Sequence, residues 1–102
     1  MDRSDILTLV TIQRHIDTIG VWEPIEITRD IFCDVMSVSR DEFFEAGRNG
    51  LNPSFRFDVF GPDYHGETLC IYRGKRYAIY RTYQTRTDTL ELYAQREGGA
   101  NG

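Results

Sequence analysis

The sequence has little cysteine and histidine, two residue types that build many catalytic and metal centres. It contains two cysteines and two histidines among 102 residues, and the spacing of these four residues matches no zinc site. It also lacks a phosphate-binding loop, a nucleophile elbow and a paired-histidine protease motif. We therefore expect no catalytic residue, no metal and no cofactor, and we expect that the chain is not an enzyme.

Long hydrophobic runs and excess positive charge are absent as well. No run approaches the 18 apolar residues of a membrane span, so we expect no membrane partner. The net charge of −4 argues against simple affinity for nucleic acid, because lysine and arginine contacts to phosphate dominate that binding. Residues 1–62 carry 6 basic and 11 acidic side chains, and residues 63–102 carry 6 and 5. This asymmetry suits subunits that meet head to tail, although a random scatter of charge explains it equally well.

What is present is a series of short alternating segments. A chain of 102 residues forms one domain with one core, and in a cytosolic chain Cys33 and Cys70 are expected to be reduced core thiols. The alternation predicts an all-β fold, a small antiparallel barrel of about six strands over residues 1–96, with a flexible tail over residues 97–102. The predicted strands cover residues 7–16, 25–38, 55–59, 68–72, 76–83 and 89–96.

Two of these strands have features that bear on packing. Trp22 and Pro24 precede the second strand in a connection that fits either a loop or an edge strand. Residues 31–38 are apolar on both faces, a pattern typical of a strand that packs on its own core and is covered by a helix or a neighbour on the other side. In the predicted hairpin, Leu69 and Ile71 are expected to point inward.

The central segment predicts one short helix followed by a long loop. Ser39 and Glu42 form a capping box, so a helix should cover about residues 40–47. We expect Phe43 and Phe44 to dock it, with at least one ring in the core, because so short a helix is unstable alone. The flexible loop, about residues 47–54, has little to fasten it to its own subunit, and such loops often carry contacts to another molecule.

Aromatic and arginine residues on the predicted outer surface suggest a partner interface. This composition is usual in interface cores, although tyrosines on exposed strands are also common without a partner. The candidate residues are Phe44, Tyr72, Arg76, Tyr80, Arg81 and Tyr93.

Four segments in this order resemble a known family. They are SRDEFFEAG, a strand from Phe55, the hairpin CIYRGKRYAIYR and a last strand LELYAQRE. Together they resemble the phage head-closure proteins, also called stoppers or head–tail joining proteins. The resemblance covers residues 31–97 and depends on order and spacing, since no single motif is diagnostic.

The resemblance implies a structural virion protein of the head–tail connector, made in the host cytoplasm. Such proteins form a dodecameric ring that closes the portal channel after DNA packaging and provides the tail-attachment surface. The implied partners are copies of the chain itself, the portal or adaptor ring, tail proteins and the packaged double-stranded DNA in the channel. By position, the implied channel-gating loop consists of Gly47, Arg48, Asn49, Gly50, Leu51 and Asn52.

Two other interpretations remain open at the level of sequence. The first is a related connector component, either an adaptor or a tail-terminator ring protein. The second is a small nucleic-acid-binding barrel of the OB type, in which exposed Tyr72, Tyr80 and Tyr93 would stack on bases beside the basic hairpin turn. The net negative charge of the chain argues against this interpretation, because binding to nucleic acid depends on lysine and arginine contacts to phosphate.

Overall fold

A computed structural model describes residues 4–97 and shows a closed antiparallel barrel. The elements are β1 (Asp5–Ile16), β2 (Trp22–Met36), α1 (Arg40–Arg48), β3 (Pro53–Phe60), a short 3-10 turn (Gly61–Asp63), β4 (Leu69–Tyr72), β5 (Lys75–Gln84) and β6 (Thr89–Arg96). Around the barrel the order is β1-β2-β3-β6-β5-β4, and β4 pairs back onto β1. The predicted small six-strand barrel with one short helix is confirmed.

Alternating apolar residues from all six strands fill the barrel. Its centre is aromatic: Phe55 and Phe57 meet Tyr72 and Tyr77 in four edge-to-face contacts, with ring centroids 5.3–6.4 Å apart. Such contacts stabilise a core beyond the area they bury. The buried cluster consists of Leu7, Leu9, Ile31, Cys33, Phe57, Val59, Cys70, Tyr72, Tyr77, Ile79, Leu92 and Ala94.

The predicted orientation of β4 is wrong. Cys70 and Tyr72 point into the barrel, whereas Leu69 and Ile71 lie on the opposite face. The sequence suggested a three-residue connection, but Tyr72 pairs directly with Lys75 across a two-residue turn in which Arg73 and Gly74 have φ of 50° and 77°. Positive φ at both positions is typical of a type I′ hairpin turn. A shift of one residue moves every side chain of a strand to the other face.

Strands β1 and β2 continue far beyond the barrel. They pair along their whole length, from Asp5 opposite Cys33 to Ile16 opposite Trp22. However, β4 pairs with β1 through residues 8–10, and β3 pairs with β2 through residues 33–36. Residues 11–28 therefore project as a two-stranded ribbon about 20 Å long, here called the arm, and the molecule measures 51 × 31 × 22 Å.

The arm ends in a compact turn within the segment that the sequence predicts as a connection. The Asp17 carboxylate accepts hydrogen bonds from the N–H groups of Ile19 and Val21, both at 2.9 Å. Trp22 and Pro24 belong to β2. The arm leaves one end of the barrel, while residues 37–52, with α1, connect β2 to β3 at the other end. The two features that distinguish this barrel thus lie at opposite ends.

Candidate interaction surface

The arm exposes large apolar side chains on both of its faces. Register places Ile12, Ile16 and Trp22 on the face continuous with the barrel exterior, and Ile25 and Ile27 on the other face. Exposed apolar surface of this extent marks interaction sites more often than the free surface of a monomer. The apolar residues of the arm, each 40–82% exposed, are Ile12, Ile16, Ile19, Val21, Trp22, Ile25 and Ile27.

Ion pairs hold the base of the arm to the barrel. Arg29 binds Glu67 at 2.6 Å, and Arg76 in β5 binds Glu26 in the arm at 2.6 Å. Burial of Glu67 opposes its ionisation, but hydrogen bonds from Arg29 and from backbone N–H groups outweigh burial and lower the pKa of this carboxyl. These contacts fix the direction in which the arm leaves the barrel.

A second apolar surface lies on the exterior of β1, β2 and β3. We call it the wall and define it by Ile6, Phe32, Asp34, Met36 and Phe60. Phe32 is 60% exposed and Met36 is 38% exposed, so α1 does not cover this face of β2. The predicted second apolar face of residues 31–38 is therefore left open for a neighbour.

The wall borders an acidic row that runs across three strands. Asp34 lies opposite Asp58, and Asp58 lies opposite Glu91. Arg56 binds Asp58 through two hydrogen bonds of 2.8 Å and lies 3.6 Å from Glu91. Oδ2 of Asp34 is buried and has no hydrogen-bond partner in the described part of the chain. With one guanidinium for three carboxylates, the row carries a net negative charge.

The helix docks through a carboxylate and not through its phenylalanines. The Ser39 hydroxyl accepts a hydrogen bond from the Glu42 N–H at 3.2 Å, which confirms the predicted cap. The Glu42 carboxylate, expected to bind the cap in return, instead accepts hydrogen bonds from the Tyr80 hydroxyl at 2.8 Å and from Arg81. Glu42 and Ala46 are the buried residues of α1.

The expectation that Phe43 or Phe44 enters the core is wrong. Phe43 is 47% exposed and Phe44 is 60% exposed. Their rings contact each other edge to face at 6.1 Å. Since the carboxylate of Glu42 anchors the helix, both rings stay exposed, and the interface role of Phe44 stays a prediction.

The predicted gating loop is shorter and better anchored than its sequence suggested. Gly47 and Arg48 belong to α1, and β3 begins at Pro53. The intervening residues form a Schellman motif: the Leu51 N–H donates to the Ala46 carbonyl at 3.0 Å, and Gly50, with φ of 78°, donates to Gly47 at 3.1 Å. Asn52 N–H donates to the Gln95 side chain at 3.0 Å.

The remaining predicted interface residues divide into buried and exposed groups. Tyr72 lies in the barrel core, so its predicted exposure is wrong. Tyr93 is buried beside Arg81, whose guanidinium lies 4.6 Å from the centroid of the Tyr93 ring. Tyr80 is partly buried through its bond to Glu42. Arg76 and Arg81 are exposed but engaged in ion pairs.

The two outer tyrosines are held in their neutral form. Burial, followed by the hydrogen bond to Glu42, raises the pKa of Tyr80. Burial, followed by a hydrogen bond of 2.5 Å to Glu91, raises the pKa of Tyr93 to about 12. Both hydroxyls therefore act as hydrogen-bond donors that tie the outer surface together, and neither ring forms an open stacking platform.

The thiols and the helix carry no further site. Cys33 and Cys70 are free and buried, which confirms the predicted reduced core thiols. Burial raises the pKa of each thiol to about 12, and neighbouring carboxylates contribute to the shift at Cys33. Over residues 4–97, no His, Cys, Asp and Glu side chains cluster in the way that a metal ion requires. The helix that the structure describes is too short and too polar to cross a membrane.

Comparison with known proteins adds no relative: no family model matches the chain, and no curated protein matches it.

Sequence reasoning missed the arm and Asp34 as parts of an interaction surface. The apolar residues of the arm were visible, but Trp22 and Pro24 fitted either a loop or an edge strand, so the long hairpin that they form with β1 was not predicted. The available signal was the continued alternation from Trp22 to Thr28, which extends the second strand back toward the first.

Proposed function

We propose that the chain is a ring-forming subunit of a phage head–tail connector that closes the portal channel after DNA packaging and offers a surface to the tail. The arm carries the assembly part of this proposal. It exposes seven large apolar side chains on a ribbon that projects from the barrel. Within a monomer these side chains stay exposed to water, whereas a ring of subunits can bury both faces of the ribbon.

The resemblance to head-closure proteins supports the connector part. The segments that carry it fold as successive elements of one barrel: a capped helix, β3, the β4–β5 hairpin and β6. The exposed rings of Phe43 and Phe44 add a third apolar surface, beside the arm and the wall, at the end opposite the arm. A connector subunit needs contacts above, below and beside it, and these separate surfaces suit that requirement.

Residues 47–52 are the proposed gate. The Schellman hydrogen bonds and the Asn52–Gln95 contact hold this segment in one conformation. It would therefore obstruct a channel as an ordered loop. Arg48, the one basic residue of the segment, already pairs with Glu45 at 3.0 Å. Weak attraction to phosphate lets a gate release DNA when it opens.

The alternative of a nucleic-acid-binding barrel loses its main support. It requires exposed tyrosines for base stacking, yet Tyr72 and Tyr93 are buried and Tyr80 binds Glu42. The basic residue Arg76 of the hairpin is neutralised by Glu26.

The test is sedimentation of the purified chain with DNA-filled, tailless capsids of the phage that encodes it. We expect the chain to sediment with the capsids and to stop DNA loss. Binding without DNA retention would favour an adaptor, and binding to isolated tails alone would favour a tail terminator. Failure to bind either particle, together with a shift of single-stranded DNA, would overturn the connector proposal. A variant with Leu51→Ser and Asn52→Gly tests the gate, since it should bind capsids but retain less DNA.

A further inference from the structure

We propose that the arm of one copy docks on the wall of a second copy, with Arg14 of the arm paired with Asp34 of the wall. This contact would join neighbouring subunits of the proposed ring and therefore rests on the proposed function. It assigns a partner to two exposed apolar surfaces of the chain at once, the arm and the wall.

The two surfaces carry matching patterns. On the outer face of the arm, Ile12 and Ile16 flank Arg14; on the wall, Phe32 and Met36 flank Asp34. Both patterns are apolar, charged, apolar at intervals of two residues, which places neighbouring side chains about 7 Å apart along a strand. The charges are opposite, and each pattern has one apolar residue on either side of its charge. The two rows therefore match whether the strands run parallel or antiparallel.

Each charged group lacks its complement within one chain. Arg14 lies over the ring of Trp22 at 5.5 Å and forms no ion pair within residues 4–97. Asp34 has the buried oxygen that lacks a hydrogen bond, and an unsatisfied buried acceptor is costly. Asp34 as a whole is only half-buried. A guanidinium delivered with flanking apolar side chains would therefore pair with its carboxylate from outside and would cover Phe32 and Met36.

The contact has to form between two copies. Arg14 lies opposite Pro24, and Asp34 follows Pro24 by ten residues on the same strand. At about 3.3 Å per residue the two groups are about 33 Å apart within one chain. Because arm and wall are different surfaces, each copy can use its arm on one neighbour and its wall on another, and such heterologous contacts generate rings when the rotation closes.

The experiment uses charge reversal in the full chain. Arg14→Glu places like charges at the contact, and so does Asp34→Arg, so each variant alone should associate at least about tenfold more weakly than the native chain. An equal mixture of the two variants makes both contacts complementary again, because each arm then meets a wall of opposite charge. We expect the mixture to regain native association by sedimentation velocity and native copy number on capsids. Arg86→Glu, in the exposed β5–β6 turn, controls for net charge and should leave association unchanged.

Crosslinking keeps the test decisive if Asp34→Arg does not fold. With Arg14 opposite Asp34, Phe32 lies opposite Ile12 in one strand direction and opposite Ile16 in the other. Phe32→Cys is therefore mixed with Ile12→Cys in one sample and with Ile16→Cys in a second, and each mixture is treated with a short bis-maleimide. A heterodimer from one of the two mixtures is expected, while the buried native thiols stay unreacted. No heterodimer from either mixture, or reversal variants that associate normally, would overturn the arm–wall contact. If the arm–wall contact fails these tests but the native chain still binds capsids, the connector function is retained. If the mixed variants regain association in solution but the native chain does not bind capsids, the contact is supported and the connector function is rejected.

Discussion

Strands β1 and β2 run through both the barrel and the arm, and the apolar side chains on their inner face are buried in the first, while apolar side chains on both faces are exposed in the second. Within the barrel, Leu7 and Leu9 of β1 are almost completely buried, whereas every arm residue except Asp17 is exposed. Both stretches alternate and both contain isoleucine, leucine or valine at regular intervals. The difference is the number of neighbouring strands, because β3 and β4 flank the hairpin only along the barrel. The proposed contact with a second subunit is based on the apolar side chains that the barrel cannot reach.

The largest effect is expected in the barrel core. Phe57 has no exposed surface and contacts three aromatic rings, so Phe57→Ala should lower the free energy of unfolding by about 3–5 kcal/mol. Chemical denaturation followed by fluorescence measures this loss. Phe44→Ala removes an equally large ring that is 60% exposed and should change stability by less than about 0.5 kcal/mol. Equal losses of stability in the two variants would mean that burial does not determine how much each ring contributes.

A smaller effect is expected where the helix meets the barrel. Glu42→Gln removes the charge that accepts hydrogen bonds from Tyr80 and Arg81, and we expect a loss of about 1–3 kcal/mol. Glu45→Gln is the matched control, because its pair with Arg48 is exposed on both sides and should contribute less than about 1 kcal/mol. If the two variants unfold at the same denaturant concentration, the helix is not held by Glu42.

At the base of the arm the expected effect depends on pH. The Glu67 carboxyl has an ordinary pKa of 4.5 that is lowered in the folded state. It therefore stabilises the fold fully above about pH 4.5, and this contribution disappears as the pH falls through the lowered folded pKa. Glu67→Gln should melt below the native chain at neutral pH, and the difference should shrink in acid. A difference that stays constant between about pH 3 and 7 would exclude ionisation as the cause.

Patterns that involve neighbours in sequence were predictable. The last strand was predicted with both of its bounds, 89–96, because alternation there is uninterrupted. The start of the helix followed from Ser39, whose cap needs a residue three positions away. Closure of the barrel followed from the number of short strands, which hide their edges by pairing in a ring.

Patterns that depend on distant residues were not predictable in this way. Glu42 binds Tyr80 and Arg81, which lie 38 and 39 positions along the chain, so no local rule could choose this anchor over Phe43. The register of β4 depended on one residue of turn length, which composition around Gly74 left undetermined. The anchoring of Asn52 required knowledge that Gln95 ends up beside it.

The smallest effect on stability, and the sharpest distinction between the two regions, is expected from removing the arm. Replacing residues 13–25 with Asn-Gly joins Ile12 to Glu26, which already face each other across the hairpin, through a two-residue turn that this dipeptide favours. The change deletes exposed side chains and keeps both ion pairs at the base, Glu26 with Arg76 and Arg29 with Glu67. We therefore expect the free energy of unfolding to stay within about 0.5 kcal/mol of the native value. Association measured by sedimentation velocity should be lost at the protein concentrations at which the native chain associates. A barrel that unfolds without its arm would show that the ribbon stabilises its own subunit, and the exposed isoleucines would then no longer indicate a partner.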